Sequence, residues 1–347
     1  MQPNAKPSPL PSTITTVAEL EELLSRPSPE LIADLSRLDG DIVVVGVGGK
    51  VGPTLARMAK RAAPNKRVYG VARFSDSDVR ARMESWGIEC LPCELTDQRQ
   101  VQQLPKAANV VFMAGKKFGT TGDEPSTWMM NAVVPAYVAE HYAGSRFVAF
   151  STLCVYPFAD TRSAGSAESV APTPVGEYPN SCVGRERVWQ FFSAKHSAPG
   201  RLARLNYAID LRYGVLHDIA QAVRAGRPID LSTGVANVIW QGDSTNHILR
   251  CLAHGTTPAS PINIGAPKTA AVRAVAQRFG ALFNREPIFS GSEQFQAWHN
   301  DCSLAQSLFG DPIVDLDTMI RWNAAWIQAE QPVYQKPTHF GERRGAF

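Results

Sequence analysis

The stretch from Asp41 to Met58, DIVVVGVGGKVGPTLARM, constrains the fold of the chain more than any other. Ile42–Val45 is a short apolar run of the kind that forms a buried strand. Gly46, Gly49 and Gly52 follow at intervals of three, and Leu55, Ala56, Met58 and Ala59 then repeat at helical spacing. A strand that turns through glycines into a helix brings free backbone N–H groups and the positive end of the helix dipole to one point. A dinucleotide pyrophosphate can sit there, and the glycines let phosphate and backbone approach closely. The strand-before, helix-after context favours nucleotide binding over a purely structural turn.

From Asp41 onward strands and helices alternate. Val68–Ala72, Ile88–Leu95, Val110–Ala114, Phe147–Ser151 and Leu202–Asn206 read as strands. Ser75–Trp86, a short polar segment at Asp97–Leu104, a long apolar Trp128–Tyr142 and Arg185–Ala194 read as the helices between them. This pattern predicts an α/β fold: a Rossmann-type, doubly wound parallel sheet with right-handed crossovers. Residues 40–210 are expected to form the dinucleotide-binding domain. Residues 1–39 form an N-terminal arm, disordered to about residue 15, and two short helices, the first with Thr16 and Glu19 at capping-box spacing. Residues 211–347 are expected to form a smaller mixed α/β substrate lobe and a tail. Residues 157–180 read as a long loop over the site. The basic tail, KPTHFGERRGAF, reads by default as solvated, with closure over the pocket or contact with a second subunit as alternatives.

Composition excludes several classes. A net charge of +3 over 347 residues suggests neither nucleic acid nor an anionic membrane as partner. The polar, proline-rich start has no apolar signal core, and no later run is long enough to span a bilayer, so a cytoplasmic protein is expected. Cys90 and Cys93 form a C-x-x-C, but on a strand rather than at a helix N-terminus, so structural thiols are expected rather than a redox pair. The seven histidines show no metal-ligand spacing, and no metal is expected.

The end of the second strand bears on the nucleotide. An acid there suits the ribose diol of NAD, whereas an arginine suits a 2′-phosphate. The sequence has Val71-Ala72-Arg73, which favours NADP, with NAD as the alternative. Asn206 and Arg212 follow the sixth strand, where a substrate pocket at the carboxyl edge of such a sheet begins.

Several motifs then fall in order. The glycine turn reads G-x-x-G-x-x-G and includes Lys50 and Val51; Glu94-Leu95-x-Asp97 follows the third strand; Phe112-Met113-Ala114-Gly115 leaves the fourth; Asn131 lies on the next helix; Ser151-Thr152-Leu153-Cys154-Val155-Tyr156 leaves the fifth; Ile262-Asn263-Ile264-Gly265 lies in the lobe. From about Asp41 to Ile327 the chain resembles extended short-chain dehydrogenases/reductases of the NAD-dependent epimerase/dehydratase type. The resemblance implies cofactor contacts at Gly46, Gly49, Gly52, Glu94, Leu95, Met113, Ala114, Gly115 and Asn131. It implies Thr152 as the catalytic hydroxyl and Tyr178 as the acid/base, and it implies a carbohydrate substrate and a homodimer built through the Trp128–Tyr142 and Arg185–Ala194 helices.

One position departs from the family pattern. Where the family has Y-x-x-x-K, this chain has Tyr178-Pro179-Asn180-Ser181-Cys182. The lysine's charge lowers the tyrosine pKa toward working pH and its ammonium donates hydrogen bonds; a thiol does neither. Lys116 or Lys117, in the loop after the fourth strand, could restore that charge, whereas Arg185, two helical turns beyond Tyr178, is a poorer candidate. Two expectations follow: an NAD(P)-dependent oxidoreductase or epimerase with an atypical site, or a dinucleotide-binding protein with lost or altered catalysis.

Overall fold

A computed structural model of the chain describes residues 9–336 and 338–345. Seven strands, β1 (Ile42–Val45), β2 (Val68–Ala72), β3 (Glu89–Pro92), β4 (Asn109–Phe112), β5 (Arg146–Thr152), β6 (Gly200–Leu205) and β7 (Ser260–Ile264), form one sheet in the order β7-β6-β5-β4-β1-β2-β3. Every pairing is parallel. The strand order reverses between β1 and β4, which opens a crevice at their carboxyl ends. This is the doubly wound architecture expected from the alternation.

The period-2 geometry of β1 divides the core. Ile42 and Val44 pack with Leu55, Met58 and the N-terminal Leu31 and Leu35 on one face. Val43 and Val45 pack with Phe112, Val134, Val138 and Trp189 on the other. A separate apolar centre in the lobe gathers Ile219, Phe279, Trp240, Trp322 and Trp326 with Leu20 and Leu24 of the first helix. The sheet's edge strand β7 comes from residues 260–264, so the lobe-forming part of the chain returns to complete the sheet. Helix Leu316–Gln328 closes the lobe, whereas helix Ser303–Phe309 packs Ala305 and Phe309 into the core beside the sheet; neither was expected from sequence.

The N-terminal helices are Val17–Leu24, with the Thr16/Glu19 capping box in place, and Pro29–Ser36, capped by Ser28. The expected disordered arm lies outside the described residues at 1–8; beyond it, Ile14 is buried and the Trp322 indole donates to the Pro11 carbonyl (3.1 Å). Buried Glu21 pairs with Arg212 (3.1 Å) and Arg82 (3.3 Å), which fastens the first helix to both halves of the molecule.

Two helices differ from expectation for identifiable reasons. Trp128–Tyr142 is not continuous: Glu124–Trp128 passes through a π-helical turn, Met129–Val133, into Val134–His141. Pro135 has no N–H to donate to the Asn131 carbonyl four residues back, and that carbonyl instead accepts from Arg185 Nε (3.4 Å). The second helix is longer than expected and runs from Glu177 to His196 after Gly176 at φ +86°. Tyr178 therefore lies in its first turn rather than in a loop, and Pro179 is tolerated there because first-turn N–H groups need no intrahelical partner.

Candidate active site

The glycine turn has the conformation its sequence requires. Gly46 has φ +92°, and a Cβ there would stand 2.4 Å from the Ala114 nitrogen. A Cβ on Gly52 would stand 2.1 Å from the Val47 carbonyl oxygen, so both glycines are demanded by close packing. Gly49 has no comparable neighbour and, with Lys50 and Val51, lines a cleft of about 390 Å³. The cleft continues past Met113 and Gly115 at the end of β4 to Thr152 at the end of β5 and Asn206 beyond β6. A glycine-walled turn opening onto a helix N-terminus, at the switch point of the sheet, fits a dinucleotide.

The remaining cofactor candidates divide by burial. Ala114 is buried as the surface against which Gly46 packs, and Leu95 is buried in the core under the β3 exit. Arg73 is 76% exposed at the end of β2, with Glu94 3.9 Å away. Glu94 is engaged by the Thr96 N–H (3.1 Å) and hydroxyl (2.8 Å), which hold its carboxyl below the usual range. Asn131 spends its amide on the protein: Oδ1 accepts from the Lys116 N–H (2.8 Å) and Arg185 Nη2 (2.6 Å), and Nδ2 donates to the Lys116 carbonyl (2.8 Å) and Ser181 Oγ (2.9 Å). It clamps the loop after β4 to the helix that carries Tyr178.

At the β5 exit two neighbouring hydroxyls have different fates. Ser151 donates to Glu186 Oε1 (2.6 Å), and Glu186 is held by a two-pronged ion pair from buried Arg204, Nε to Oε1 (2.9 Å) and Nη2 to Oε2 (2.6 Å). Ser151 is thereby committed to structure. Thr152 instead meets Tyr178, whose phenol it hydrogen-bonds. Burial raises the Tyr178 pKa well above its ordinary value, with Cys182 and Cys154 adding in the same direction and Arg185 and Thr152 opposing. Cys182 is wholly buried beside the phenol, its thiol pushed up to about 11 by burial.

The structure separates the two candidate lysines. Lys116 turns away to an ion pair with Asp123 and to Ser126 Oγ (2.6 Å), so the expectation that it could serve the site is corrected. Lys117 is half-buried and lines the cleft. Burial lowers its pKa, and its electrostatic partners are Cys154 and Cys182. Its ammonium thus approaches the neighbourhood that a lysine at position 182 would serve.

Arg185, discounted in sequence, also lines the cleft, with Nη1 donating to the Phe150 carbonyl (3.0 Å). The legible signal was its seven-residue spacing from Tyr178, two turns along one helix face. Asn206 lines the cleft as expected, and its Oδ1 is buried with no hydrogen-bond partner among the described residues. Arg212 does not line it: the guanidinium is buried in ion pairs with Asp210 (2.6 Å) and Glu21, against the Tyr334 ring. The tail is not wholly solvated: Thr338, and Tyr334 just before the tail, form part of the cleft wall, whereas Lys336, His339 and Arg344 are exposed. Sequence reasoning had no local signal for the two wall residues.

Cys90 and Cys93 are both buried free thiols raised by burial, Cys90 to about 11. Among the described residues no cluster of His, Cys, Asp and Glu could hold a metal ion, and no helix is long and apolar enough to cross a membrane.

Residues 42–196 match the NAD dependent epimerase/dehydratase family. Solved structures share the fold across most of the chain. One is MoeE5, seen with UDP-glucuronic acid and NAD: 19% identical, covering 84% of this chain and 100% of its own, at a TM-score of 0.68. Another is the UDP-glucose 4-epimerase of Thermotoga maritima, 16% identical, covering 84% and 99%, at 0.69. A third is DesIV, the dTDP-glucose 4,6-dehydratase of Streptomyces venezuelae, 16% identical, covering 83% and 97%, at 0.71 and seen with NAD. No curated protein sequence matches the chain.

Proposed function

Because residues 42–196 match the NAD dependent epimerase/dehydratase family, we propose that the chain is a dinucleotide-dependent enzyme. It moves hydride from and to a sugar-like carbinol, with Lys117 supplying the charge that Cys182 lacks. The observation carrying this reading is Lys117 entering the cleft beside Cys154 and Cys182, the neighbours of the Tyr178 phenol. The backbone of Gly46, Gly49, Lys50 and Val51, rather than any side chain of the turn, would hold the pyrophosphate, and Met113 to Gly115 would flank the inner half. When bound, the cofactor supplies the hydride-exchanging ring.

The chain's own residues do the proton chemistry. Thr152 Oγ1 holds the substrate oxygen, and Tyr178 Oη takes the carbinol proton as hydride leaves and returns it in reverse. A phenol raised by burial is a poor base, and a nearby ammonium stabilises its phenolate. Arg185 adds a second positive group and orients the loop through Asn131. Asn206, at the cleft wall beyond β6, stands where a substrate hydroxyl would lie. Exposed Arg73 supports a preference for NADP over NAD. Six buried free thiols suit a reducing cytoplasm. Exposed Trp128, Val133 and Phe191 on the two helices near the site support a homodimer through them, which light scattering showing only monomer would overturn.

The test combines dinucleotide titration by tryptophan fluorescence with cofactor absorbance across a panel of sugars and sugar acids. Tyr178→Phe and Lys117→Met should keep dinucleotide binding and lose turnover by about 10²- to 10⁴-fold, the usual worth of positioned acid–base chemistry. Dinucleotide binding without turnover on any panel member would favour a binding protein instead. Unchanged turnover in Lys117→Met would remove Lys117 from the mechanism.

A further inference from the structure

We propose that the cleft takes, beside the dinucleotide, a small polyhydroxylated compound bearing one anionic group, a carboxylate or a phosphate, held by Lys50 beneath the C-terminal segment. This rests on the dinucleotide-dependent reading above and adds the class of its second ligand.

Lys50 belongs to the glycine turn by its backbone, but its side chain leaves toward the lobe. Its Nζ sits 3.1 Å from the centre of the Tyr213 ring and 5.4 Å from that of Phe118. Tyr213 follows β6 on the substrate side of the crevice, whereas Arg73 and Glu94 mark the far ends of β2 and β3. No carboxylate among the described residues forms an ion pair with Lys50. The charges that act on it are two further cations, Lys117 and Lys336, and two acids, Asp210 and Asp218. Both acids are already committed. Asp210 receives Arg212 Nε (3.0 Å) and Nη2 (2.6 Å), and Asp218 receives the Thr338 N–H (2.8 Å) and hydroxyl (2.5 Å). Burial and the neighbouring cations lower Lys50 to about 8, so the folded protein holds this ammonium at a cost. An anion placed beside it relieves that cost, and an aromatic ring alone compensates it only in part.

Size follows from the C-terminal segment. The Tyr334 N–H donates to the Arg212 carbonyl (3.1 Å), and Arg343 Nη1 donates to the carbonyls of Ser232 (3.1 Å) and Gln296 (2.8 Å). With Thr338 anchored on Asp218, the segment is pinned across the lobe and walls the cleft through Tyr334 and Thr338. The resulting volume of about 390 Å³ reaches from the glycine turn to Asn206. Pockets for a single ligand run from about 300 to 1,000 Å³. A cleft shared with the inner half of a dinucleotide therefore leaves room for a compact second ligand rather than a nucleotide-linked sugar. Asn206 lines the far end of this space, where a hydroxyl of such a ligand would lie.

Calorimetry on the full chain saturated with NADP or NAD tests this with four probes: D-glucuronate, glucose 6-phosphate, glucose and UDP. Glucuronate or glucose 6-phosphate should bind, and which one binds identifies the anionic group; glucose and UDP should bind more weakly. Lys50→Gln should weaken the bound anion by about tenfold or more, as expected for loss of a charged hydrogen-bond donor. It should leave dinucleotide affinity near that of the parent, and Lys50→Arg should retain the anion. UDP binding more tightly than both small anions would overturn the proposal, as would failure of both to bind. So would a Lys50→Gln variant with unchanged anion affinity, or one that weakens dinucleotide and anion alike. A chain that binds no dinucleotide in the first titration refutes the underlying functional reading instead, so the two failures are distinct.

Discussion

Removing the Glu186 carboxylate tests how the helix that carries Tyr178 is held to the sheet. Glu186 and Arg204 are 1% and 2% exposed, and two short hydrogen bonds join them. The same carboxylate accepts from Ser151, whose chain neighbour is Thr152. Glu186→Ala leaves a guanidinium buried without its counter-ion, which costs about 3–5 kcal/mol, and strands the Ser151 hydroxyl at about 1 kcal/mol more. Glu186→Gln preserves shape and one acceptor and should fall between parent and Glu186→Ala. Replacing both partners by apolar residues, Glu186→Leu with Arg204→Met, removes the stranded charge and should recover most of the loss, because the pair had itself been desolvated to form. Urea unfolding followed by circular dichroism measures the series. Dinucleotide binding on the folded variants reports whether the β5 exit has moved. A Glu186→Ala loss below about 1 kcal/mol, or a double variant as unstable as the single one, would refute the assignment of this pair as a buried clamp.

Three other predictions address charge and pH. Cys182→Lys places a second ammonium next to Lys117, so it should lower turnover about tenfold or more. Adding Lys117→Met should recover turnover, and an increase from Cys182→Lys alone would contradict the role given to Lys117. Arg73→Ala should weaken NADP about tenfold to a hundredfold and leave NAD nearly unchanged in fluorescence titration, as expected for loss of one charged contact to a 2′-phosphate. Asp243 is buried, and burial raises its pKa from 3.8 to about 7 while the Val314 N–H it accepts opposes this. Between those values the unfolded chain has released a proton that the folded chain keeps, so the stability this group contributes is full below about pH 4 and lost as pH rises through about 7. Asp243→Asn should flatten unfolding midpoints across that window; an unchanged slope would show that Asp243 is not the group responsible.

Much of the architecture was legible because it depends on neighbours in sequence. Four apolar residues before Gly46, and the glycines at 46, 49 and 52, specify a strand, a close turn and a helix through local sterics. Alternating strand and helix patterns then restrict the sheet to a doubly wound form, since crossovers are right-handed. Thr152, Tyr178 and the departure at Cys182 could likewise be found from short motifs. Which of two adjacent lysines enters the cleft could not be. Lys116 and Lys117 lie on an irregular loop without periodicity, and their directions depend on Asn131 gripping both backbone groups of Lys116 and on Asp123 capturing its ammonium. Arg212 was misplaced because nothing local shows that its guanidinium is buried: Asp210, two residues earlier, takes Nε and Nη2, and Glu21, 191 residues earlier, takes Nη1.

The sequence by itself therefore determined a dinucleotide-type turn in a Rossmann-type sheet, since that rests on backbone conformation and spacing within one element, while Thr152 and Tyr178 were reached through the resemblance of their short motifs to a family. The tertiary structure alone decided which charges face that phenol, and that the C-terminal segment walls the cleft. Those features are contacts between segments far apart along the chain, and long-range packing and ion pairing leave no periodic trace in sequence.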